Sequence, residues 1–213
     1  SLLLAFIGLP SKSRSIQPME GKVGYFDGFK EVARNRSASS CLAGLALLNA
    51  GYMAVYFYGP SFFRQRFMVS TGLNSIFIMV SALCFTFGSL ASGQLVNRYG
   101  KKTLIVMTTL LSGVFVIFYT ALPSLWLSLI FRCLVSLFTG MAVTAGSSLN
   151  LEQIPRFRGT MMSISYTATS MGSALGSGIG GLIILLFNYE LMGLSLGIMY
   201  IIAIMIYYFL VID

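Results

Sequence analysis

The sequence predicts an all-α integral membrane protein, a bundle of six transmembrane helices. Three observations predict it: the chain is 56% hydrophobic and only 9% charged, its apolar residues gather into six stretches of bilayer length, and its basic residues collect in alternate connections. An ordinary soluble domain carries roughly 25% charged residues, so no soluble fold hides this much apolar surface. In lipid every backbone polar group needs an internal partner, which leaves helices or a closed barrel as spanning structures. The stretches lack the apolar and polar alternation of barrel strands, and helices remain.

Crossing the hydrocarbon core takes about 20 mostly apolar residues. Such stretches run from Ser37 to Gly59, Leu73 to Leu95, Thr103 to Leu122, Ser124 to Leu149, Thr160 to Phe187 and Leu191 to Ile212. Residues 1–10 are apolar but too short to cross. They are expected to be the end of a preceding transmembrane helix, and the chain reads as a fragment. A signal peptide fits poorly, because no charged segment with a small-residue cleavage site is present. Residues 11–36 form a polar loop, and residues 37–213 the bundle. Inside the loop Phe26, Phe29, Val32 and Ala33 recur at helical spacing while Lys30, Glu31, Arg34 and Arg36 take other faces. That is the pattern of a short helix lying on the membrane surface, its basic face toward anionic headgroups; a flexible linker is the alternative.

The net charge of +8 does not point to nucleic acid, because its placement follows the membrane. With the loop before Ser37 in the cytoplasm, Lys12, Arg14, Lys22, Lys30, Arg34, Arg36, Arg98, Lys101, Lys102, Arg156 and Arg158 all fall inside. Arg64 and Arg66 fall outside and Arg132 lies within a span. This is the positive-inside asymmetry, and it predicts a multi-pass protein of the cell or inner membrane with both ends of the six-helix unit cytoplasmic. The chain has no histidine, which removes Ser-His chemistry and HExxH zinc sites, and no pair of carboxylates lies within a span. An enzyme is not expected, nor a cofactor. Cys41, Cys84 and Cys133 stand singly in three spans and read as small apolar filler, with no metal site.

The connection after the second span, GQLVNRYGKK, resembles the signature loop of the major facilitator superfamily. Gly93, Leu95, Arg98, Gly100, Lys101 and Lys102 match it. Asn97 stands where the family usually has Asp, a departure typical of the degraded copy in the second half. LEQIPRFRG, Leu151 to Gly159, resembles the loop after the fourth helix of each half. Gly172, Gly176, Gly180 and Gly181 look like the glycine-rich antiporter motif, with Ser177 in place of its Pro. The resemblance implies the C-terminal six-helix half of a twelve-helix transporter. Its partners would be the N-terminal half, the lipid bilayer, a small-molecule substrate and, in a proton-coupled member, protons. It also implies that the first and fourth helices line a central cavity and that the second and fifth meet the other half, which would set the glycine ridge at a moving seam. Small residues at steps of four equally make a static packing seam.

Arg132 is the sharpest single feature. Counted from Ser124 it lies roughly 12 Å into the bilayer, and ionisable residues at such depth usually mark a pathway or pair with a partner. A cavity role, a structural pair with an acid, and snorkelling all stay open; Ser136, one turn on, shares its face. Asn49, Tyr52 and Tyr56 share one face of the first span and are further cavity candidates, with hydrogen bonding between helices as the alternative. Gly93, Asn97, Arg98, Gly100, Lys101, Glu152 and Arg158 make up a candidate cytoplasmic gate, in which Arg98 would pair with Glu152 or contact a helix C-terminus. The function expected is secondary transport of a small solute by alternating access, with proton-coupled drug or organic-anion transport as the candidate task and the direction left open. A six-helix channel or non-transporting receptor is the alternative; a permease subunit of a nucleotide-driven pump fits the short loops less well.

Overall fold

The computed structural model describes residues 27–211, and no strand occurs among them. Its helices are α1 (Asp27–Arg34), α2 (Arg36–Phe67), α3 (Thr71–Tyr99), α4 (Lys101–Ala121), α5 (Leu125–Gln153), α6 (Arg158–Leu186) and α7 (Tyr189–Leu210), with a 3-10 turn at Pro155–Phe157. Helices α2 to α7 are each long and apolar enough to cross a membrane. The expectations for residues 1–10, and for the loop as far as Phe26, lie outside the described residues.

Local chemistry sets the helix ends. Asn35 caps α2 by accepting from the Ala38 amide at 3.1 Å, and Asn188 caps α7 by accepting from Leu191 at 2.8 Å, each satisfying an amide that would otherwise lack a partner. Gly100 alone joins α3 to α4 with φ of 80°, a conformation that glycine adopts at no steric cost. The first span differs from expectation: α2 does not stop at Gly59 but runs through Pro60 to Phe67. A proline inside a helix costs about 3 kcal/mol. Here Phe62 and Phe63, both fully buried, hold the continuation in an aromatic cluster with Phe67, Phe77 and Tyr119, each edge-to-face pair adding ~0.5–1.5 kcal/mol.

The packing obeys an internal symmetry. Helix α2 packs along α6 as α5 packs along α3; α2 meets α7 as α5 meets α4; α4 and α7 meet each other. Exchanging α2–α4 with α5–α7 leaves this pattern unchanged, the mark of nested three-helix repeats. Close seams are made by glycine. A methyl on Gly172 or Gly176 would fall on the carbonyl of Ala46 or Ala50 in α2, one on Gly88 would meet Leu137, and one on Gly140 would meet Phe85. The glycine ridge of α6 therefore packs against α2 inside this unit, while Gly178 on the same helix meets nothing. Farther along the ridge Gly180, with Gly181 beside it, makes room for Tyr58, whose hydroxyl donates to the Ser177 carbonyl at 2.8 Å.

Helix α7 is held by tyrosines two turns apart. Tyr200 and Tyr207, both fully buried, fill notches at Gly51 and Gly44 of α2. Tyr207 donates to the Cys41 carbonyl at 3.4 Å, and Tyr200 reaches Thr139, which donates to Ser112 at 3.2 Å. At the basic end Lys102 donates to the Val211 carbonyl at 2.6 Å; at the opposite end Arg66 contacts Glu190 at 2.9 Å and the Thr120 carbonyl at 3.2 Å. Helix α1 lies against α2 and α6. Of its apolar row Val32 is buried, packed with Ala38, Leu42, Ile154 and Met161, whereas Phe29 and Ala33 face outward.

Truncation at Tyr200 separates its two contributions. Tyr200→Phe removes one interhelical hydrogen bond and is expected to cost about 0.6 kcal/mol. Tyr200→Ala opens a cavity at the α2, α4 and α7 junction and should cost about 3–5 kcal/mol, measured as loss of unfolding free energy in detergent.

Candidate functional site

The seams leave a gap. Helices α5 and α6 scarcely touch, because each is committed to a partner on its other side, and between them and α2 opens a crevice of about 220 Å³. Asn49 and Leu45 of α2, Val143, Ser147 and Leu151 of α5, and Met162, Ser165, Tyr166 and Thr169 of α6 line it. The wall is mostly apolar, with amide and hydroxyl groups and no charge. Ser37 donates to Gln153 at 2.7 Å and ties α2 to α5 toward the basic end.

Asn49 is 8% exposed and spends one amide hydrogen on the Leu45 carbonyl at 3.0 Å. Farther along the same face Tyr52 stacks on Phe85 of α3, ring centroids 4.9 Å apart, so that it bridges α2 to α3. The Tyr56 ring lies 6.2 Å from that of Tyr52 and is 44% exposed. The structure thus keeps these three on one face but places Asn49 alone of them in the crevice wall.

Arg132 is 2% exposed and lies inside the bundle. Its guanidinium presses against Gly59, where any side chain would collide with it, sits 5.5 Å from the centre of the Phe63 ring, and neighbours the Tyr119 hydroxyl. Neither Arg132 Nη1 nor Tyr119 Oη completes a hydrogen bond among the described residues. Ser136, 5% exposed, is buried one turn on. Both therefore lie outside the crevice, farther from the basic end: along α5 Arg132 precedes Val143, the first crevice residue of that helix, by 11 positions, about 16 Å at 1.5 Å per residue.

At the basic end Glu152 forms its ion pair with Lys101, and Arg98 lies 5.4 Å from the ring of its neighbour Tyr99. The helix C-terminal contact foreseen for Arg98 is made by Lys102. Gly93, Asn97 and Arg158 are exposed and Gly100 forms the turn. Sequence reasoning overlooked Ser147 and the Ser165, Tyr166, Thr169 group. The last three recur at helical spacing on α6, a signal as good as that of Asn49, Tyr52 and Tyr56 and masked by the adjacent glycines.

A sequence profile of the Major Facilitator Superfamily matches residues 67–213, most of the chain. The chain belongs to the Major Facilitator Superfamily. Among curated proteins, this superfamily member is similar to the 3-(3-hydroxy-phenyl)propionate transporter of Escherichia coli (strain K12), 35% identical over 95 residues, which are 44% of this chain and 23% of that protein. The Na(+), Li(+), K(+)/H(+) antiporter of Planococcus maritimus is 21% identical over 164 residues, 74% of this chain and 38% of that protein. Multidrug resistance protein MdtG of Escherichia coli (strain 55989 / EAEC) is 28% identical over 145 residues, 66% of this chain and 35% of that protein. The chain thus spans 23–38% of the length of these relatives. The six-helix bundle is a half-domain of the major facilitator fold.

The geometry separates crevice from interior by reactivity. In a cysteine-free background, Ser147→Cys and Tyr166→Cys should react with a small water-borne thiol reagent, and Arg132→Cys should resist it under the same conditions, read by mass shift.

Proposed function

We propose that this chain is the C-terminal six-helix half of a secondary active transporter, working with an N-terminal half to carry a small solute by alternating access. The crevice between α2, α5 and α6 carries the reading: it is an open, polar-dotted surface in a unit of nested three-helix repeats, and transporters of this architecture bind between such repeats. The basic connections support a cytoplasmic position for both ends of the six-helix unit.

In this reading Asn49 and Tyr166 touch the solute in the crevice, and Tyr52 and Tyr56, on the same face of α2 beyond the crevice wall, meet it farther along its path through rings and neutral hydrogen-bonding groups. Arg132 and Ser136 stand farther along α5 from the basic end and meet the solute deeper in its path, when α2 moves away from α5 at Gly59 and Pro60. The Lys101–Glu152 pair closes the cytoplasmic end, with Gly93, Asn97, Arg98, Gly100 and Arg158 around it. Half-exposed pairs are worth ~0–1 kcal/mol, so this gate biases an equilibrium between two forms and does not lock it. The relatives named above for an aromatic acid, for monovalent cations and for drugs share only a small solute as cargo, and an uncharged crevice wall suits the aromatic or lipophilic members of that range.

The experiment is flux into proteoliposomes bearing the full-length protein, over a panel of aromatic acids, lipophilic drugs and monovalent cations, with and without a pH gradient. Saturable flux is expected, with Tyr52→Ala and Asn49→Ala raising KM about three- to tenfold, the size of losing one aromatic or amide contact, at unchanged membrane insertion. Flux that rises linearly with concentration and ignores both substitutions would mean a pore.

A further inference from the structure

Two of the three cysteines meet in the fold. Along the α3 and α5 seam Gly88 abuts Leu137, and Ser92 donates to the Met141 carbonyl at 3.2 Å. These pairs share one register, and one turn farther from the basic end that register sets Cys84 against Cys133. The two side chains are neighbours there, near the Ser81 hydroxyl. Both are free and half-buried, whereas Cys41 is enclosed under Tyr207. The neighbouring residue on α5 is Arg132, a buried guanidinium with an unpartnered Nη1 that lies within electrostatic reach of Cys133. The described carboxylates of the spans, Glu152 and Glu190, sit at helix ends and do not neutralise it.

We propose that Cys84 and Cys133 form a two-coordinate thiolate site for a soft monovalent d10 cation, the class of Cu+ and Ag+. Soft sulfur ligands select such ions. Zinc needs about four ligands in a tetrahedron, and no group of three or more metal-ligating side chains occurs among the described residues. The binding step is not a redox reaction: two S–H bonds break, two S–metal bonds form, and two protons leave to solvent. The product, a cation held by two thiolates, carries one negative charge. That charge falls within electrostatic reach of Arg132, so binding offsets part of the positive charge that burial makes costly. A divalent ion such as Hg2+ would give a neutral product and leave the guanidinium uncompensated. The site bridges α3 and α5, whose partly exposed thiols admit the ion without unpacking Tyr207.

The test is calorimetric titration of the full-length protein in detergent with Ag+, a redox-inert probe, in two buffers of different ionisation enthalpy. Wild type and Cys41→Ser should each show one tight equivalent releasing two protons per ion. Cys84→Ser and Cys133→Ser should each lose that equivalent. Its persistence in either serine variant, or its absence from wild type, overturns the proposal. A measurement on wild-type protein covers the case in which a variant misfolds: mild iodine oxidation should yield a Cys84–Cys133 cross-linked peptide by mass spectrometry. Failure to find it while other thiols oxidise would show that the pair is not formed.

Discussion

Close approach of helix backbones is the constraint from which the rest of this structure follows. Inside a bilayer the lipid chains are as apolar as leucine, so helices gain nothing by hiding apolar side chains from their surroundings and associate through contact and hydrogen bonding. Contact of that kind needs positions without a side chain. Gly172 and Gly176 supply them against Ala46 and Ala50, and Gly88 and Gly140 supply them against Leu137 and Phe85. Each flanking helix is thereby fastened to one central helix, α6 to α2 and α3 to α5. The crevice is the space left because α5 and α6 are both occupied elsewhere.

Polar groups inside the bundle follow a similar economy of contact. Ser and Thr hydroxyls mostly return to their own helix, as Thr108 does to Leu104 at 2.7 Å and Ser112 to Thr108 at 2.9 Å. Bonds between helices are few and placed where the small residues bring backbones near: Ser89 with Thr144 at 2.6 Å lies beside the Gly140 contact. Arg132 departs from this rule. A lone buried charge is among the more expensive features a membrane helix can carry, and the ring of Phe63 offers it a cation–π contact worth only about 2 kcal/mol when desolvated. A residual cost at that point makes it a natural place for a ligand or a conformational change to act.

The six spans, their order and the basic end were legible in the sequence because length, hydropathy and charge are local properties. Neighbour choice was not. The steps of four in α6 announced a seam but could not say whether it faced the other half of a transporter or Ala46 and Ala50, residues more than 100 positions away. The same limit hid the meeting of Cys84 with Cys133, since pairing across helices leaves no spacing signal in one chain. The end of the first span was hidden for another reason: the apolar stretch from Ser37 was ended at Gly59 without the buried Phe62 and Phe63 that hold the helix past Pro60. Lys101 and Arg98 both lay within plausible reach of Glu152 by position in the loop, and only the rotation of α4 at Gly100 decides between them.

Two glycines of α6, two positions apart, offer the most direct test of close backbone approach. Gly176 abuts the Ala50 carbonyl and Gly178 meets open space, so the same methyl enters a seam at one and lipid or water at the other. Unfolding free energy in detergent should fall by about 1–3 kcal/mol for Gly176→Ala through overpacking, and hold or rise by up to about 1 kcal/mol for Gly178→Ala through helix propensity. Equal effects at the two positions would contradict the account.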